Sequence, residues 1–184
     1  MKVYQTNIEG LVLLEPRVFP DPRGYFFESY SQRKMDDNGL KYSFVQDNQS
    51  KSTYGVIRGL HFQSPPFAQT KLIRVLEGAI YDVAVDIRKG SPTYGKWFGV
   101  ELTDENKLQL LVPKGFAHGF SVISPTAVVM YKCDEFYHPE VDGGIIFNDS
   151  DLGIDWKVNT ENAIVSDKDL KLPFLKDLKS PFSI

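Results

Sequence analysis

Ile80-Tyr81-Asp82-Val83-Ala84-Val85-Asp86-Ile87 is the most regular stretch of the chain. Tyr81, Val83, Val85 and Ile87 alternate with Asp82, Ala84 and Asp86. A period of two puts the two sets on opposite faces of a β-strand. The pattern predicts a half-buried strand whose second face meets water or a polar cavity. Gly90-Ser91-Pro92-Thr93 ends it.

Outward from there, short apolar segments recur between turn signals, the spacing of an all-β sandwich or barrel. Before it lie Leu11–Leu14, Tyr25–Tyr30 beyond the turn Pro20–Gly24, and β character over Tyr42–Asn48. After it come Trp97–Leu102, the polar turn Thr103–Asn106, Leu108–Val112, and Ala127–Tyr131. Ser31 to Asn38, charged and closed by Gly39, is the best short-helix candidate. Beyond Ile145-Ile146-Phe147 the chain, about residues 148–184, is irregular and rich in Asp, Lys and Pro. With no repeat and no linker, residues 1–184 read as one mostly-β domain of two antiparallel sheets, with short peripheral helices.

Composition narrows the function classes. At 184 residues, with 42% apolar and 13% aromatic content, the chain can bury a sizeable core. A net charge of −3 argues against nucleic acid or a membrane surface as partner, so an anionic ligand must meet a local basic cluster. The single cysteine, Cys133, suits a reducing compartment. Met1–Asn7 carries no apolar signal region, and no apolar run reaches the roughly 18 residues of a membrane span. A cytoplasmic protein is expected.

The candidate chemistry gathers in Gly55–Lys71, G-V-I-R-G-L-H-F-Q-S-P-P-F-A-Q-T-K, which holds Arg58, His61 and Lys71. Strand alternation would put Arg58 and His61 on opposite faces, and a bulge at Gly59 would bring them together. His118 lies in the turn Pro113-Lys114-Gly115-Phe116-Ala117-His118, and His138 in a loop. Each alone also suits an ordinary structural role: a satisfied strand histidine, a turn histidine, a solvated lysine.

Metal-binding cupins use His-x-His, a nearby Glu, and a further His in a Pro-x-Gly-x-x-His turn. The spacing of Gly55 and His61 and the turn ending at His118 resemble that scaffold. The second histidine is replaced by Gln63, however, and the next glutamate is Glu77. Two imidazoles beside an ammonium make a poor cage for a divalent ion, so no metal is expected. The same groups suit proton abstraction next to a ketone. An imidazole is the base, Lys71 faces the developing oxyanion, and Arg58 and Arg23 hold a pyrophosphate. Tyr131 is the candidate acid on the far face.

Ten stretches in order resemble the dTDP-4-dehydrorhamnose 3,5-epimerase family. They include Pro16–Phe19 with Asp21–Gly24, Phe44–Asn48, Arg58–Gln63, Lys71–Val75, Asp82–Arg88 and Pro113–Phe120. Tyr131–Cys133, Leu152–Trp156 and Ser166–Asp169 follow. The resemblance implies a cupin jelly roll (a double-stranded β-helix) that inverts C3 and C5 of a dTDP-4-keto-6-deoxy sugar without metal or organic cofactor. It implies His61 as base, Asp169 as the carboxylate orienting it, Tyr131 as acid and Lys71 as oxyanion support. Arg23, Glu28, Gln46, Asn48, Arg58, His118, Asp142 and Lys168 would line the substrate site, with Tyr137 stacked on the base. It also implies a homodimer in which N-terminal strands extend the partner's sheet. Departures are Asp134-Glu135 after Tyr131-Lys132-Cys133, no histidine in Asp47–Ser50, and Asp142 in place of Glu. They leave open a relative that makes one inversion or shifts the ketone. A silent nucleotide-sugar binder also stays open, and a metal-dependent dioxygenase is disfavoured by Gln63.

Overall fold

The computed structural model describes all residues 1–184. The stretch Ile80–Ile87 forms strand β8 (Ala79–Asp86). It starts from Gly78, whose φ is +78° and where a Cβ would fall 2.0 Å from the Thr126 carbonyl oxygen, a place only glycine fits. β8 sits inside a five-stranded antiparallel sheet between β9 (Trp97–Thr103) and β11 (Phe116–Val122). β6 (Ile57–Gln63) and β13 (Asp142–Gly144) complete that sheet.

The facing sheet has six strands. From its edge it runs β1 (Lys2–Gln5), β2 (Val12–Glu15), β10 (Gln109–Val112), β7 (Lys71–Glu77), β12 (Thr126–Cys133) and β5 (Gln46–Thr53). Between them Ile73, Val75, Ile80, Ala84, Leu110, Phe120 and Val129 form the inter-sheet core. A separate hairpin, β3 (Val18–Asp21) and β4 (Gly24–Phe27), stands off the two sheets with Phe19, Tyr25 and Phe26 exposed. Helix α1 (Gln32–Asp37) follows, its Ser31 N-cap accepting the Lys34 N–H. No helix is long and apolar enough to cross a membrane. Eleven strands in two antiparallel sheets and the β3–β4 hairpin, with one short helix and four 3-10 turns, make the all-β fold that the spacing predicts and the jelly roll that the family resemblance implies.

Two sequence expectations change. β5 begins at Gln46, not Tyr42; Tyr42 and Phe44 instead pack as side chains on the cluster of Val12, Leu14, Met35 and Leu72. β8 is buried on both faces rather than half-buried. Its Val83, Val85 and neighbouring Ile87 pack under Phe147, Leu152, Trp156 and Phe182 of the irregular C-terminal segment. Trp156 is only 1% exposed and its indole N–H donates to the Phe147 carbonyl at 2.8 Å. Burying such a side chain stabilises by about 3 kcal/mol, enough to hold a segment that has no strand of its own. The opposite face turns into the core, where Asp82 is fully buried and meets His118 rather than open space.

Candidate active site

A cavity of about 570 Å³ opens between the sheets, walled by β5, β6, β7, β11 and β12 and by residues 164–169. Its shape depends on one irregularity in β6. His61 pairs with His118 and Arg58 with Phe120, so three steps along β6 match two along β11. The extra residue is the bulge expected at Gly59, and both Arg58 and His61 line the cavity. Gly59 has φ +120°, and a Cβ there would lie 2.6 Å from the Gly119 Cα. Any side chain would push β6 and β11 apart.

His61 Nε2 meets Asp169 Oδ1 at 2.8 Å. Asp169 is 3% exposed, and its Oδ2 accepts the Gly59 N–H at 3.2 Å. Burial alone would push this carboxyl up, but the His61 bond and charge, with the Gly59 N–H, hold it below the usual carboxylate range. A carboxylate on Nε2 fixes the ring and leaves Nδ1 as the nitrogen free to take a proton.

Lys71 opens β7 and lines the same cavity from the facing six-stranded sheet. Burial pushes its ammonium pKa down, while Cys133, Asp142 and Asp82 act in the opposite sense. Tyr131, on β12, faces the cavity, and burial raises its phenol above the ordinary value of 10.0. A base, a cation and a protonated phenol around one cavity can move a proton off one face of a carbon and onto the other.

His118, 7% exposed, holds Asp82 Oδ1 through Nε2 at 2.8 Å. Asp82 is fully buried and its Oδ2 has no hydrogen-bond partner. This second carboxylate was visible only as one member of the β8 polar face; its partner was not. At the rim, Lys168 Nζ pairs with Asp142 Oδ2, and the Tyr137 hydroxyl donates to the same oxygen at 3.3 Å. That bond to Asp142 raises the Lys168 pKa. Asn48 lines the cavity, and Gln46 stands one layer back, donating to Asn48 Oδ1 at 3.0 Å. Arg58 Nε donates to Ser52 Oγ at 3.1 Å.

Two of the expected substrate residues, Arg23 and Glu28, lie away from the cavity. Arg23 sits at the tip of the β3–β4 hairpin, its side chain 90% exposed and paired with Asp21 at 2.6 Å. Glu28 is exposed and pairs with Lys34. Gln63, read as a lost metal ligand, is 3% exposed and fully engaged by loop backbone. Nothing in its local pattern distinguishes that use.

Fold and cavity together define a cupin-type carbohydrate epimerase, an isomerase. The model of the dTDP-4-dehydrorhamnose 3,5-epimerase family matches residues 5–177. The chain belongs to that family. It is 51% identical over 166 residues to the dTDP-4-dehydrorhamnose 3,5-epimerase of Methanothermobacter thermautotrophicus, covering 90% of this chain and 89% of the relative. A crystal structure of the enzyme from Elizabethkingia anophelis superposes with a TM-score of 0.92 at 53% identity, covering 98% of this chain and 99% of that one. The Legionella pneumophila dTDP-6-deoxy-D-glucose-3,5-epimerase, solved with dTDP-4-keto-L-rhamnose, gives a TM-score of 0.92 at 46% identity, covering 97% and 94%.

Proposed function

We propose that this protein inverts C3 and C5 of dTDP-4-dehydro-6-deoxy-D-glucose to give dTDP-4-dehydro-L-rhamnose in dTDP-L-rhamnose biosynthesis, with His61 as the base. The C4 ketone acidifies both neighbouring C–H bonds, so each proton leaves to an enolate and the ketone itself is the electron sink. No metal or organic cofactor is then required. His61 takes each proton in turn, Asp169 stabilises the imidazolium, and Lys71 stabilises the enolate oxygen. Tyr131 returns a proton to the opposite face. Arg58, Asn48, His118, Asp142 and Lys168 bind the nucleotide sugar, Gln46 supports Asn48, and the Tyr137 ring stacks on the base.

One observation carries the reading. His61 and Asp169, 108 residues apart in the chain, meet at 2.8 Å on the wall of a cavity that also holds Lys71 and Tyr131. The working unit is a cytoplasmic homodimer. β1 is a free edge of the six-stranded sheet, and the β3–β4 hairpin exposes Phe19, Tyr25 and Phe26, surfaces that a second copy would cover. Arg23 and Glu28 of one protomer then serve the cavity of its partner. Incubation with the 4-keto sugar nucleotide in D₂O, followed by NMR, tests the reaction. Deuterium enters at both C3 and C5; labelling at one carbon only, or at neither, contradicts the double inversion. A monomer by sedimentation at micromolar concentration contradicts the dimer.

A further inference from the structure

Gln63 is the last residue of β6, two positions beyond His61 on the same strand. Its side chain is buried at the base of two loops, residues 64–70 and 134–138, that border the cavity. The amide nitrogen donates to the Phe67 carbonyl at 2.6 Å and to the Phe136 carbonyl at 3.0 Å. The amide oxygen accepts the His138 N–H at 2.7 Å. These partners fix the amide orientation, since two carbonyls can only meet its nitrogen and an N–H only its oxygen. The Phe67 ring stacks on the His138 imidazole, with centroids 3.7 Å apart and planes 13° from parallel, which ties the two loops together a second time.

Tyr137 lies between the two residues that Gln63 grips in the second loop, and its own N–H is taken by Gln46 Oε1 at 3.1 Å. Three consecutive residues are thus held by their backbone, by two buried or half-buried amide side chains. Tyr137 itself remains 52% exposed at the cavity rim. A flat ring held still by its backbone and left bare toward a cavity is a surface prepared for another flat ring, because the cost of ordering it is met before the ligand arrives.

We propose that Gln63 is a positioning residue for the nucleotide-base subsite: by clamping the Phe136–His138 backbone it presents the Tyr137 ring for stacking on the pyrimidine of the substrate. The inference rests on the reading above that Tyr137 stacks on the base. Removing the Gln63 amide strands two carbonyls and one N–H in a buried place, and the loop must move to find water for them. The reacting groups His61, Lys71 and Tyr131 lie on strands outside that loop. Loss of the clamp therefore weakens binding of the nucleotide end and spares the chemical step.

The test is calorimetric binding of dTDP and of pyrophosphate, a probe without a base, to wild type, Gln63→Leu, Gln63→Glu, Tyr137→Ala and the Gln63→Glu/Tyr137→Ala double variant. Gln63→Glu keeps the size and the acceptor for His138 N–H but cannot donate to the two carbonyls when ionised, so it serves where Gln63→Leu fails to fold. Both Gln63 variants are expected to bind dTDP about tenfold more weakly, with pyrophosphate affinity unchanged. Their KM for the sugar nucleotide rises in parallel while kcat at saturation stays within about twofold. The double variant binds dTDP no more weakly than Tyr137→Ala alone. Wild-type dTDP affinity in the Gln63 variants, an equal loss for pyrophosphate, or additive losses in the double variant would each overturn the clamp. Wild-type dTDP affinity in Tyr137→Ala would instead sink the stacking reading on which it rests.

Discussion

His61 and His118 stand directly opposite each other across the pairing of β6 and β11, and each gives its Nε2 to a different carboxylate at 2.8 Å. The two pairs differ in how their carboxylates are satisfied. Asp169 has a backbone N–H on its second oxygen, whereas Asp82 Oδ2 is buried with no partner. An unpaired buried oxygen costs about 1–3 kcal/mol, more when charged, so Asp82 is a poor choice for stability and a strong source of negative potential beside His118 and Lys71. Asp82→Asn removes the charge and keeps the shape. Steady-state kinetics are expected to show kcat/KM lower by about tenfold or more, with Tm within a few degrees of wild type. Unchanged kinetics in a folded variant would make Asp82 a bystander.

Tyr131 differs from His61 in where its loss should register. If it only returns the proton, Tyr131→Phe still opens the enolate through His61 and lets solvent deuterium back on the original face. NMR of the sugar nucleotide in D₂O should therefore show exchange retained within about tenfold and inverted product largely lost. Inverted product at the wild-type rate would remove Tyr131 from the mechanism.

The directions of two pKa shifts set the alkaline behaviour. Burial lowers Lys71 from its ordinary 10.5 and raises Tyr131 from 10.0, which brings loss of the Lys71 proton toward neutral pH and moves loss of the Tyr131 proton away from it. Loss of the Lys71 proton should lower the exchange rate and leave the ratio of inversion to exchange unchanged, because the oxyanion support serves every proton removal. Lys71→Met should exchange slowly at all pH values and lack that limb. The same alkaline limb in Lys71→Met as in wild type would contradict the assignment.

Much of this site lies close to the surface of the sequence. The cupin turn ending at His118, the bulge glycine at position 59 and the period-two strand at Ile80–Ile87 are local patterns, and the structure repeats them. What local pattern misses is contact between distant parts of the chain. Asp169 comes from a 3-10 turn with no periodicity and reaches His61 across 108 residues, so only family resemblance pointed to it. The burial of the Val83 and Val85 face of β8 depends on Trp156 and Phe182, which lie in a segment that reads as plain loop. Gln63 presents the same difficulty: its partners are backbone atoms, which carry no side-chain identity to read.

The second aspartate of β8 supports the fold rather than the cavity. Asp86 is fully buried; burial would push its carboxyl up, but Arg88, Ser91, Thr93 and the Arg88 N–H bond it and hold its pKa at about 2. A carboxyl lowered in the folded state stabilises above its unfolded pKa of 3.8 and loses that contribution as pH falls toward 2. The amount is about 2 kcal/mol. Acid unfolding should be steep between these values in wild type. Asp86→Asn should be less stable at pH 7 and show a flatter response over the same interval; an equal acid response would contradict the role given to this network.

The most direct measurement is deuterium exchange at C3 and C5 of dTDP-4-keto-6-deoxy-glucose catalysed by His61→Ala in D₂O. A folded variant, checked by its near-ultraviolet circular dichroism and its retained affinity for dTDP, should exchange at neither carbon above the uncatalysed rate. Exchange at the wild-type rate would show that another group removes the protons and would contradict the account at its centre.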